Sequence, residues 1–364
     1  MRKSIFQFAF IAMAAGPAFA APAPALQGVW KGTIGNLPVQ ACFQTESDFQ
    51  FGAYFYLSQL KIIHLDKPDK GDGWWETEVN KGPHWLLKTV EGDAVLGSWE
   101  DKGKTLPIAL KRVSLGNDEA NRPCGSDAFM APRLTPPKVT EAAAKLGGVA
   151  FTKIDVDVGK QFDVAISGFK LNGAGGNVTK INKLLTSIIP TTAAGSDYAD
   201  CMKSALYSGG RDGTYNVSLS PVVLTRNWLV ARNGSDDFCG GAHPNAGSVD
   251  SVYDLAAGVK VDVEKWFMPD AMDVKDGINP KGTLREFVVK SEIKHGSSEC
   301  SDVYENANYW NVALSKAGVN FTPSLPHAEA ACAESVDVPF AMASKFMNAA
   351  ARAKLKSFQA EASK

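Results

Sequence analysis

Residues 153–166 read KIDVDVGKQFDVAI, and their pattern decides the fold class. Ile154, Val156 and Val158 alternate with Lys153, Asp155 and Asp157. Successive side chains of an extended chain point to opposite faces, so this period of two gives a core side and a solvent side. Gly159 interrupts the run, and Phe162, Val164 and Ile166 then repeat it. Two half-buried strands follow from the pattern.

Downstream the period changes. Within Asn177 to Ile189, the residues Ile181, Leu184, Leu185 and Ile188 form one helical stripe, which Pro190 stops. Strand patterns return at 215–219, 222–224, 228–231, 248–254 and 259–263, the last two joined at Ala257-Gly258. Leu284 to Ile293 and parts of Asp302 to Ala317 suit helices, and Ser335 to Pro339 suits a strand. This mixture predicts an α+β domain over residues 141–350. An alanine-rich stretch, Thr140 to Leu146, reads as one or two helical turns leading into it, and 351–364 as a helical tail prone to fraying.

Residues 21–116 read as a small all-β domain, a barrel or sandwich. Short apolar segments such as Val39 to Phe43, Tyr54 to Leu57, Trp85 to Leu87 and Leu106 to Val113 are separated by glycine-bearing turns, among them Lys81-Gly82-Pro83 and Asp101-Lys102-Gly103. Glycine accepts the positive φ that hairpin turns need, and strands this closely spaced imply a meander. From 117 to 140 the chain carries four prolines and little periodicity, the signature of an extended linker.

The first twenty residues carry Arg2 and Lys3, an apolar run from Ile5 to about Ala15, and Ala18-Phe19-Ala20. That is a secretory signal peptide, too short in its apolar part for a spanning helix of about 20 residues, so no membrane span is expected after cleavage. Six cysteines, Cys42, Cys124, Cys201, Cys239, Cys300 and Cys332, suit a periplasmic or secreted protein. Count alone leaves their connectivity open; the domain division favours Cys42 with Cys124, Cys201 with Cys239 and Cys300 with Cys332. With 38 basic against 39 acidic residues there is no basic footprint, which sets nucleic acid aside as a partner.

The densest cluster of chemistry-bearing residues is Cys239-Gly240-Gly241-Ala242-His243-Pro244-Asn245. A nucleophilic Cys239 needs a free thiol, and a secreted chain with Cys201 upstream oxidises it instead. The motif therefore reads as a shaped turn, with His243 and Asn245 as candidate ligand contacts. The five histidines show no spacing that aims two imidazoles at one metal, and no nucleophile elbow occurs, so no catalytic residue, metal or cofactor is expected. Paired carboxylates remain an open alternative, because their separation belongs to the fold. Five of the eight tryptophans, Trp30, Trp74, Trp75, Trp85 and Trp99, lie in the first domain beside Tyr54 and Tyr56. Most fill a core, but neighbours on a strand face opposite ways, which makes Trp74 and Trp75 candidates for stacking on a sugar.

Four landmarks recur in one order in the second domain: Leu171-Asn172-Gly173 before Ile181-Asn182-Lys183; Gly240 to Asn245; Tyr253 to Gly258 before Val263-Glu264-Lys265-Trp266-Phe267; and Phe321-Thr322-Pro323 before Val336 to Phe340. On these, about residues 150 to 350 resemble the extracellular lysozyme-sensing domain of anti-sigma-V factors (RsiV-like) and the accessory domain of PdaC-type peptidoglycan deacetylases. The membrane helix of the former and the metal-binding catalytic domain of the latter have no counterpart here. The resemblance implies an α+β domain and an extracellular binding role, with peptidoglycan or a lysozyme-like protein as partner. The expectation is a non-catalytic binding protein, and the alternative a hydrolase acting on an envelope polymer.

Overall fold

In a computed structural model, residues 26–45, 50–69, 72–76, 81–116, 122–173, 175–295 and 298–363 are described. The signal peptide lies outside them. The chain is α+β, and it begins with eight antiparallel strands: β1 (Gly28–Ile34), β2 (Leu37–Gln44), β3 (Phe51–Tyr56), β4 (Ile63–Asp66), β5 (Gly73–Trp75), β6 (His84–Glu91), β7 (Ala94–Asp101) and β8 (Lys104–Ser114). Each pairs with the next, and β8 returns to β1, closing a barrel without edges. Its interior is aromatic: Trp30, Phe43, Tyr54, Trp74 and Trp85 are buried together. Arg112 covers the Trp30 ring at 4.5 Å at one end.

β3 shows no apolar–polar alternation because both of its faces are covered. Tyr54 points inward, whereas Phe51, Ala53 and Phe55 lie in a second core outside the barrel. That second core is completed by the segment read as a linker. Pro123–Gly125 form a 3₁₀ turn and α1 (Asp127–Met130) one turn of helix, capped by Ser126, and Cys124, Phe129, Met130 and Arg133 are fully buried. Gln40 Nε2 donates to the carbonyls of Ala128 (2.8 Å) and Phe129 (3.1 Å), fastening this segment to β2. An extended tether is thus not what the described part of 117–140 forms, because its few apolar residues are spent in a core shared with the barrel.

Three strands follow: β9 (Lys138–Leu146), β10 (Val149–Asp157) and β11 (Asp163–Leu171). The helical turns expected at Thr140 to Leu146 are strand β9, held in register by β10 across the Gly147-Gly148 turn. Pairing along the whole strand overrides the helix propensity of alanine, and its side chains stay mostly exposed, as suits an edge. In β10 and the chain after it, Ile154, Val156 and Val158 are buried and Asp155 and Asp157 exposed, as the period of two requires.

Helices α2 (Gly176–Leu185) and α3 (Asp197–Gly209) carry the chain from β11 to β12 (Thr214–Leu224), the one parallel neighbour in the sheet. β13 (Trp228–Phe238), β14 (Asn245–Asp254) and β15 (Val259–Val261) complete a seven-stranded sheet of order β15-β14-β13-β12-β11-β10-β9. The unbroken apolar run Trp228 to Ala231 reflects burial on both faces. Trp228 and Val230 enter the core with the C-terminal elements, Leu229 and Ala231 that beneath α2.

The remaining elements are β16 (Met272–Asp273), β17 (Asn279–Pro280), α4 (Gly282–His295), α5 (Ser301–Asn306), β18 (Trp310–Leu314), β19 (Gly318–Pro323), β20 (Val336–Pro339), α6 (Phe340–Ala343) and α7 (Ala349–Ala362). The helical reading of Asp302 to Ala317 holds only to Asn306; Trp310 onward pairs with β19 as a strand. The tail is docked. Ala351, Leu355 and Phe358 form a buried stripe at helical spacing, and the Phe358 ring sits 5.9 Å from that of Trp228.

Barrel and sheet meet at Arg133, whose side chain is fully buried. It donates to both carboxylate oxygens of Asp212 (2.8 and 2.6 Å), to the Leu60 carbonyl (2.8 Å) and to the Gln161 carbonyl (3.3 Å), and stacks over Phe162 at 4.7 Å. Removing the counterion of a desolvated guanidinium leaves a charge that burial penalises heavily. Asp212→Asn is therefore expected to lower the unfolding free energy in urea by about 3 kcal/mol or more. Lys170→Ala, breaking the exposed pair with Glu141, is expected to cost less than about 1 kcal/mol.

Candidate functional site

The four residues singled out as ligand contacts do not come together. His243 and Asn245 are exposed where β13 turns into β14, and Trp74 and Trp75 are on β5 of the barrel. Trp74 is only 4% exposed, with Phe43 edge-on at 4.9 Å, and its ring is closed to a ligand by that packing. Gly240 and Gly241 take φ of +90° and +99°, which only glycine adopts without strain. A Cβ at Gly240 would stand 3.0 Å from the Ser204 carbonyl oxygen, so the turn is pressed onto α3. Cys239 is bonded to Cys201 of that helix, leaving no thiol in the motif. His243 Nδ1 lies 3.4 Å from the Pro244 carbonyl.

Trp75 leads to a better-formed arrangement. In an eight-stranded meander alternate connections lie at opposite ends, so the end away from Arg112 holds Tyr56, Trp75, His84 and Trp99. Trp75 is half-buried on the outer surface, stacked on His84 of the next strand with centroids 4.2 Å apart and planes 20° from parallel. One residue on, Glu76 is in phase with the inward Trp74. Its Oε1 accepts from the Tyr54 hydroxyl and from Trp99 Nε1, both at 2.6 Å. The Tyr54 and Tyr56 rings meet edge-on at 5.6 Å. Outside, Ser98 donates to Glu100 at 2.8 Å.

The electrostatics fit a carboxylate held by neutral donors. Burial, then the charge of Glu76, pushes the Tyr54 phenol far above its ordinary value, and burial raises that of Tyr56. Both hydroxyls keep their protons at neutral pH, and Tyr54 holds Glu76 in place by a charge-assisted bond. The result is an oriented acceptor at the inner side of the barrel mouth with the Tyr56 and Trp99 rings beside it, while Trp75, one residue earlier, lies on the outer wall against His84. Trp75 was legible in the sequence; Glu76 was not. Its signal is the two-residue phase with Trp74, which becomes informative only once β5 is known to end at the barrel mouth.

Among the described residues, no group of three His, Cys, Asp or Glu side chains is placed to hold a metal ion, and no helix is long and apolar enough to cross a membrane. One other carboxyl is unusual. Glu292 of α4 is 1% exposed, and burial, with the Glu334 charge second, pushes it up to about 8. The folded protein holds this proton up to about pH 8, whereas the unfolded chain releases it near the ordinary glutamate value of 4.5. Stability is therefore full below that value and falls as pH rises through this window. Glu292→Gln is expected to be more stable than the parent by on the order of 2 kcal/mol at about pH 9, and no more stable at about pH 4, in parallel denaturant titrations.

No family model matches the chain, and no curated protein matches it. Among solved structures it is similar to two members of the DUF3298 family. The one from Bacteroides fragilis shares 14% identity at a TM-score of 0.37, over 61% of this chain and 96% of that one. The one from Pseudomonas aeruginosa shares 13% at a TM-score of 0.35, over 60% of this chain and 98% of that one.

Proposed function

We propose that this is a periplasmic or secreted, non-catalytic binding protein that recognises cell-envelope glycan such as peptidoglycan through the barrel rim. The observation that supports this reading is the barrel mouth itself: the Tyr56 and Trp99 rings beside one carboxylate already oriented by Tyr54 and Trp99, with the Trp75 face stacked on His84 on the outer wall of the same end. Sugar rings stack their apolar faces on aromatic planes and donate hydroxyls to a fixed acceptor. The His84 stack holds Trp75 before any ligand arrives, which lowers the ordering cost of binding. Three disulfides fit an extracellular protein. An envelope-acting protein such as lysozyme is the other ligand class consistent with such a surface. Hydrolysis of an envelope polymer is the alternative from a different class, and nucleic acid is not an expected partner.

A sedimentation assay with purified peptidoglycan separates these readings. The parent protein is expected to co-sediment without releasing soluble muropeptides. Trp75→Ala and Glu76→Gln are each expected to weaken binding by about tenfold or more at unchanged melting temperature. Binding to lysozyme but not to peptidoglycan moves the ligand to the protein class, and release of fragments moves the assignment to a hydrolase.

A further inference from the structure

A recess of about 420 Å³ opens between the β9–β10 turn, the β12–β13 turn and the last turn of α7. Its floor is apolar, from Leu146, Val149, Val223 and Leu224. Two cations line it from separate turns, Arg226 and Lys316, both exposed, and neither is paired with an acid among the described residues. The one acidic residue of the lining, Glu361, is already engaged. It accepts from Thr225 Oγ1 (2.7 Å), the Asn227 backbone N–H (3.0 Å) and Asn227 Nδ2 (2.6 Å). Two cations against one spent carboxylate leave the lining one charge positive. Those same bonds pin the β12–β13 turn to α7, so the recess is formed before a ligand enters.

We propose that this recess binds a short peptide bearing a free C-terminal carboxylate next to small apolar side chains. The carboxylate pairs with Arg226, whose forked donors suit it, and with Lys316, and the apolar side chains cover the floor. No aromatic ring lines the recess for stacking a base or sugar, which disfavours a nucleotide or a glycan here. The volume falls within the range of small-ligand pockets, about 300 to 1,000 Å³. The site is separate from the barrel rim and stands whether or not the rim binds glycan.

Titration calorimetry with N-acetyl-Ala-Ala and its C-terminal amide tests this on the whole protein. The acid is expected to bind with a Kd on the order of 100 µM and the amide about tenfold more weakly. Arg226→Ala and Lys316→Ala, both on the surface, are each expected to weaken the acid by about fivefold at unchanged melting temperature, and Trp75→Ala is expected to leave it unaltered. Equal affinity for acid and amide, no binding of the acid at about 10 mM, or no effect of both substitutions overturns the proposal. Hexanoate binding as tightly as the dipeptide overturns the peptide assignment.

Discussion

The junction between barrel and sheet is arranged around one buried cation. A guanidinium removed from water loses several kcal/mol of hydration, and only a near-complete set of acceptors offsets that loss. Arg133 finds its acceptors in three separate stretches of chain: Leu60 after the third barrel strand, Gln161 between β10 and β11, and Asp212 after α3. None of these alone satisfies it. The folded barrel, the connecting segment and the sheet are each a precondition for the others, and the apolar core around Arg133 draws residues from all three.

The covalent links reinforce the same junction. Cys42–Cys124 ties the barrel to the connecting segment across 82 residues, and Cys201–Cys239 ties α3 to the end of β13 across 38. Loop closure of this size restricts the unfolded chain by about 4 kcal/mol per bridge. His64 adds a polar contact, lying 3.2 Å from the Gly210 carbonyl at the end of α3 and 2.6 Å from Asp66 on its own strand. Gly210 takes φ of +64°, and a Cβ there would meet the Gly52 carbonyl oxygen at 3.0 Å, so the helix ends directly against the barrel wall.

Some elements with one face in the core and one in solvent were legible in the sequence. The alternation in 153–166 translates directly into β10 and β11, and the stripe Ile181 to Ile188 in part into α2: Ile181 and Leu185 are buried, whereas Leu184 is exposed and Ile188 lies beyond the end of the helix. Legibility failed where tertiary partners decide. Thr140 to Leu146 has helical composition but lies beside β10; Trp310 becomes a strand because β19 is there to pair with it. Helix α3 escaped notice although Ser196 caps it, Tyr198, Met202, Ala205 and Leu206 give it an apolar face, and Gly210 ends it. Residues 122–133 read as a linker because proline and low periodicity hide that Cys124, Phe129, Met130 and Arg133 are all interior. The candidate site divides the same way: the outward face of Trp75 can be read from strand alternation, whereas Glu76 gains its meaning from Tyr54 and Trp99, more than twenty residues away in each direction.

A rigid junction also frames the proposed functions. Barrel mouth and recess lie on elements held by hydrogen-bonded turns and strand pairing, the setting in which a binding surface is presented at a reduced ordering cost. Through Arg133, barrel and sheet share one core, and they are expected to unfold together. Differential scanning calorimetry of the oxidised protein tests this most directly. A single transition, with van't Hoff and calorimetric enthalpies in agreement, is the predicted result; two resolved transitions, one for the barrel and one for the remainder, would contradict it.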